Sequence, residues 1–210
     1  MKIFFIVLSL FLTCAVEAQV KMRDVIKQMP DTLVPYLKQN ARLDFIDFMD
    51  SDMKAEVNNR LEGKSEMTKL TEDFLEVKMS EQSTFQLKVL TKTDGTQLLC
   101  AVSTVCGPVC DSHIDFYTTD WQLLDANALL PKLPTLNNFL KPLPEDASYT
   151  LRDAFRQADL LLMKADLSAD NSTLSFTLTT PEYMDAEAAK LLAPYVVPTV
   201  TLQWNGESFQ

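Results

Sequence analysis

At 210 residues the chain is long enough for one sizeable hydrophobic core or for two small packed halves. Its make-up, 47% hydrophobic and 23% charged, is that of a folded protein and not of a disordered one. With 19 basic against 29 acidic residues the net charge is −10, a surface that repels nucleic acid and anionic lipid, and the four glycines are too few for Gly-rich phosphate loops.

The N-terminus has the layout of a secretory signal peptide over residues 1–18: Lys2, then the ten-residue apolar run Ile3 to Leu12 (IFFIVLSLFL), then Val16-Glu17-Ala18. Small residues stand at both cleavage-determining positions, which makes Gln19 the expected mature start. The run is too short for a membrane span, since about 20 apolar residues are needed. The alternative is lipid attachment at Cys14, for which the preceding Thr13 is a poor substitute for Gly, Ala or Ser. The expected location is therefore periplasmic or secreted, with a chain lipid-anchored through Cys14 as the alternative. No later stretch is apolar enough to span a bilayer.

In the mature chain Met22, Val25, Ile26 and Met29 recur at helical spacing and predict a short helix ending near Pro30. Asp31-Thr32 can cap a further turn carrying Leu33, Val34 and Leu37. Next, Leu43, Ile46, Met49 or Asp50, Met53, Val57 and Leu61 form one helical stripe, with Gly63 placed as a C-terminal cap. Asp44, Asp47 and Ser51 fall on another face. No calcium loop with a closing Glu is present, so these acids read as a solvated face.

From Leu70 the period becomes two. Phe74, Leu75 and Val77 lead into Phe85, Leu87 and Val89, which alternate with Gln86 and Lys88. Thr93-Asp94-Gly95 is a hairpin turn, Leu98 to Val105 the next strand, and Ile114 to Leu124 the returning one. That predicts an antiparallel meander of about four strands, with Trp121 near its end.

Four prolines, Pro131, Pro134, Pro142 and Pro144, make 126–148 a connector between a first unit, 19–125, and a second α+β half, 149–210, packing with it. In the second half Leu151, Ala154, Phe155 and Ala158 predict a helix. Leu160 to Leu167 and the alternating Leu174, Phe176 and Leu178 predict strands around a polar turn, and Asp185 to Ala193 a helix. Residues 165–178 (ADLSADNSTLSFTL) echo 77–90 (VKMSEQSTFQLKVL), and PTVTLQWNG near the C-terminus echoes HIDFYTTDW, the pattern a duplicated helix-plus-sheet unit would leave. The fold class is α+β, with N-terminal helices preceding an antiparallel sheet.

Of four cysteines, Cys100, Cys106 and Cys110 remain after Cys14. Cys100 sits in an apolar strand and reads as a small buried hydrophobe. Cys106 and Cys110 bracket Gly107-Pro108-Val109, a turn composition, and in an oxidising compartment they are expected to form a disulfide. A thioredoxin-like centre has two intervening residues and opens a helix, whereas here three intervene and a strand follows. A zinc site lacks donors, because His113 is the only histidine and alternates with Asp115 and Tyr117 on a face expected to be solvated.

The run MPDTLVPYL…RLDFIDFMDSDMKAEV…LTEDFLEVKMS, joined to TVCGPVCDSHIDFYTTDW, resembles an uncharacterised family of exported proteins from Bacteroidales-type bacteria. The likeness spans nearly the whole mature chain. It implies a Gram-negative envelope and provides no catalytic residues to carry over. The residues themselves offer no Gly-x-Ser-x-Gly elbow and no H-E-x-x-H, and two tryptophans with five tyrosines are few for sugar stacking.

The expectation is a non-catalytic envelope module, without cofactor or metal, that binds a protein or peptide partner through a sheet face or edge. The alternative is a small periplasmic hydrolase or thiol-redox accessory protein acting through paired carboxylates or through Cys106 and Cys110.

Overall fold

Helix α1 (Met22–Gln28) forms where the first apolar stripe predicts it, burying Met22, Val25 and Ile26. The computed structural model describes residues 19–210. The signal segment, the cleavage point after Ala18 and Cys14 lie outside the described residues. Residues 31–37 make no further helix but a series of turns that bury Val34 and Leu37.

Helix α2 (Gln39–Asp50) stops well short of Leu61, where its predicted stripe ends. It ends in Asp47 and Asp50 with no basic residue in its last turn, which opposes the helix dipole. Asp52 then turns left-handed at φ 51°. Beyond it Met53 and Leu61 are exposed, Val57 lies in strand β1 (Glu56–Asn58), and Gly63 stands in the turn before β2 (Lys64–Leu70). Extended structure therefore begins at Glu56 and not at Leu70.

Strands β3 (Phe74–Ser80), β4 (Ser83–Thr91), β5 (Gln97–Cys106) and β6 (Cys110–Thr118) complete one antiparallel sheet of six strands in chain order, two more than the pattern predicted. The β4–β5 hairpin turns at Gly95, φ 88°, with Asp94 Oδ1 accepting from the Thr96 N–H at 2.9 Å. At the β1–β2 edge Lys54 and Lys64 both donate to Glu56. Those two bonds hold its carboxyl down at about 2 from the usual 4.5. A folded value below the unfolded one adds stability that is full above pH 4.5 and is lost as pH falls through 2. Glu56→Gln should flatten the acid-unfolding profile across that window, and a carboxyl NMR titration of the parent should place the Glu56 midpoint near its lower end.

The second sheet holds β7 (Met163–Leu167), β8 (Thr173–Leu178) and β9 (Thr199–Gln203), all antiparallel. The connector is packed rather than loose. Its turns form α3 (Ala126–Leu129) and α4 (Leu136–Phe139), and Phe139 and Leu130 enter the core. Helices α5 (Tyr149–Gln157) and α7 (Ala186–Leu192) follow the predicted stripes, the short α6 (Thr180–Tyr183) was not predicted, and Asp185 caps α7 by accepting from the Glu187 and Ala188 N–H groups.

The six-stranded sheet is covered on both faces. Leu75, Val77, Phe85, Leu87, Val89 and Leu99 meet Phe45, Ile46 and α1 on one side. Phe74, Leu90, Leu98, Cys100, Val102 and Phe116 meet Leu174, Phe176 and Leu202 of the smaller sheet on the other. Residues Gln86 and Lys88, which alternate with the apolar positions of β4, are themselves buried between the sheets.

Both buried polar groups are satisfied across the junction. Gln86 accepts from the Leu167 N–H at 2.8 Å and donates to Glu76 at 2.8 Å. The Lys88 ammonium meets Asp73 at 2.9 Å and the Ala169 carbonyl at 3.2 Å. Ser112 and Asp111 take the Ala165 and Met163 N–H groups, so the outward donors of β7 end on side chains of the larger sheet. The echoed segments pair differently in the two sheets. Strand β9 lies beside β8 as β5 lies beside β4, whereas β6 pairs only with β5.

Candidate functional site

Cys106 closes β5 and Cys110 opens β6, directly opposite in register, with their sulfurs at bonding distance, 2.06 Å. A strand and not a helix follows Cys110, so no helix dipole bears on its sulfur. Cys100 is fully buried, and that burial, with the Asp115 charge adding to it, pushes its thiol well above the usual range. Intact mass should rise by two hydrogens on reduction, and Cys100 should resist alkylation until the chain unfolds. Replacing Cys106 and Cys110 together by serine should cost at most about 2 kcal/mol in chemical denaturation, the chain entropy of a five-residue loop.

His113 is exposed and its Nε2 lies 3.1 Å from Asp115, on the face predicted. Tyr117 departs from that reading. It is buried with its ring 5.6 Å from that of Trp121, which turns back at φ 65°. Burial and the neighbouring Asp115 push its phenol up to about 12. Asp44 and Asp47 are exposed on α2 and Ser51 is exposed just past its end. No group of three or more His, Cys, Asp or Glu side chains among the described residues could hold a metal ion.

The arrangement with unspent binding capacity lies elsewhere, where the turns of 31–37 meet the end of the larger sheet. A cleft of about 360 Å³ opens there, lined by Tyr36, Lys38, Asn40, Ala41, Asn58 and Arg60 among others. Beside it is an apolar slot of about 100 Å³, walled by Leu33, Pro35, Met79, Phe85 and Val105, and Tyr36 is a wall of both hollows.

The frame is built from below. Arg42, buried in α2, donates from Nη1 to the Leu37 carbonyl (2.8 Å) and to Asp31 (2.7 Å), and from Nη2 to the Met29 carbonyl (2.5 Å). These bonds pin both ends of the loop that carries Tyr36. The Arg60 N–H donates to the Tyr36 carbonyl at 3.0 Å, which sets the arginine beside the tyrosine. Asn59 locks the adjoining turn by accepting from the Leu61 and Gly63 N–H groups.

Charge distinguishes this cleft. Its lining contains no carboxylate, and among the described residues neither Lys38 nor Arg60 belongs to an ion pair, the Arg60 Nη1 donating only to the Pro35 carbonyl at 3.4 Å. A cleft of about 390 Å³ at the other end of β4 and β5 differs in kind, because its Lys21 already pairs with Glu72 and its Asp73 with Lys88. Sequence reasoning missed the basic cleft. Lys38 and Arg60 stand 22 positions apart with no shared motif, and only the loop and the strand end bring them together.

Fold and cleft together define a two-sheet α+β domain with a basic pocket at one pole of its larger sheet. Residues 13–209 match the family described as "Protein of unknown function (DUF3256)", and the chain belongs to that family. It is also similar to a solved structure described as "Structure of a domain of an uncharacterized protein from Porphyromonas gingivalis W83", from a member of the Bacteroidales. The TM-score is 0.78 at 24% identity, over 90% of this chain and 96% of that one, a likeness that shows the fold alone. No curated protein matches the chain. Among the described residues no helix is long and apolar enough to cross a membrane.

Proposed function

We propose that the protein is an exported, non-catalytic binding module of a Gram-negative cell envelope that holds an anionic group of a protein or peptide partner in the Tyr36 cleft. The observation that carries the reading is the pair of cations without ion-pair partners, Lys38 and Arg60, in a chain of net charge −10. Two cations that line one cleft with no carboxylate in its lining are available for an outside anion. The leader of residues 1–18 and the cysteine hairpin support export. The cleft's lining supplies cations and amides for binding but no carboxylate or histidine to act as a general base.

A pull-down from envelope extract tests the reading, run with the parent protein and with the charge-reversed K38E/R60E pair. A partner captured by the first, released by salt and lost from the second is the expected result. Equal capture by both removes the cleft from the function. N-terminal sequencing of the protein from fractionated cells should begin at Gln19, whereas a lipid on Cys14 would establish the anchored form instead.

A further inference from the structure

We propose that the open edge of β6 takes an added antiparallel strand, an extended segment of a partner protein with basic residues opposite Asp111 and Asp115. The edge is separate from the Tyr36 cleft, which lies beside β1 at the other edge of the same sheet, and the inference does not rest on the reading of that cleft. Strand β6 pairs on one side only, with β5. Which of its backbone groups face outward follows from three bonds. The Leu124 N–H donates to the Phe116 carbonyl at 2.8 Å, the Thr118 N–H to the Gln122 carbonyl at 2.9 Å, and the Thr179 hydroxyl to the Cys110 carbonyl at 2.6 Å. Positions 110, 116 and 118 therefore turn their backbone groups away from β5, and by the strand's period of two so do Ser112 and Ile114.

Both ends of this edge are capped and its middle is not. Ser112 bonds to Thr104 and to the Ala165 N–H only through its hydroxyl, and among the described residues nothing meets the N–H or C=O of Ser112 or Ile114 on the outer side. Backbone groups shut away from water without partners are costly, so these four are hydrated in the free protein and offer an incoming strand two complete pairs of bonds. In strand addition the main chain supplies affinity and alternate side chains supply specificity. Charge selects the occupant here. Asp111 and Asp115 lie on one face of β6 with the exposed His113 between them, and among the described residues no lysine or arginine pairs with either carboxylate. Side chains directly opposite each other attract when their charges differ and repel when they match. A second copy of this chain is a poor occupant, because the register that opposes Ser112 to Ile114 sets Asp111 against Asp115 twice, in a protein already of net charge −10. A segment with two cations four residues apart meets both acids.

Titration of the purified protein at low salt, followed by amide NMR, decides the matter with the end-blocked peptide Thr-Lys-Val-Thr-Val-Lys-Thr. It should bind at least about tenfold more tightly than the same peptide with glutamate in place of both lysines, and should slow exchange of the Ser112 and Ile114 amides. N-methylation of the two valines, whose N–H groups face β6 in this register, should abolish binding, whereas N-methylation of the central threonine, which faces away, should leave affinity within about twofold. The K38E/R60E protein should bind the peptide as the parent does. Equal affinity of the lysine and glutamate peptides, indifference to valine methylation, or no binding at millimolar peptide would each overturn the proposal. A dimer of the free protein in which the Ser112 and Ile114 amides are already protected would assign the edge to a second copy and overturn it as well.

Discussion

Replacing Arg42 by methionine should lower the free energy of unfolding by about 3 kcal/mol and unseat the loop that carries Tyr36. The guanidinium is 1% exposed and is the sole side-chain partner of two carbonyls, Met29 and Leu37. Methionine fills much of the same volume but donates nothing, and each buried acceptor left unpaired costs about 1–3 kcal/mol. Asp31, half exposed, can return to water, so the ion pair itself contributes little to the loss. Urea denaturation measures the stability, and amide exchange over residues 30–38 reads the loop. Unchanged stability with unchanged exchange would show that α2 holds this segment by packing alone. Arg42 is in these terms a positioning residue for the cleft, and capture of the envelope partner should weaken in the variant even below the onset of unfolding.

Phe176→Ala should cost about 4 kcal/mol and shift one cooperative transition rather than splitting it in two. The ring is fully buried in the cluster that joins Leu174 and Leu202 of the smaller sheet to Phe74, Cys100 and Phe116 of the larger one. Further bonds cross the same junction. The Trp204 Nε1–H donates to the Thr91 carbonyl at 2.8 Å, and the Thr93 N–H donates to the Gly206 carbonyl at 3.0 Å. Calorimetry with a single peak moved to lower temperature is the expected record. Two peaks, with the earlier one alone displaced, would mean that the halves fold separately.

Much of the fold was legible in the residues themselves. Local period placed α1, α5, α7 and most of the strands, because a helix stripe and a strand alternation each report one buried face. Thr93-Asp94-Gly95 marked its hairpin because a turn needs a residue that accepts positive φ. Periodicity misled where structure was not amphipathic in the ordinary way. The stripe running on to Leu61 outlasted the helix, since spacing carries no information about the acidic end and the left-handed Asp52 that terminate α2.

The sequence by itself determined most of the elements, the α+β class, the turn chemistry around Cys106 and Cys110, and the family likeness. Tertiary structure alone decided what those elements face. Gln86 and Lys88 alternate like surface residues, yet the smaller sheet covers them and its Leu167 and Ala169 bond them in place of water, while Asp73 from the β2–β3 turn of their own sheet pairs with Lys88. The basic cleft is a still stronger case. Its cations come from a loop and a strand end, and its frame from an arginine buried beneath them. Local pattern records which side of an element is apolar, but only the packed chain sets which distant polar groups meet and which cations are left outside any ion pair.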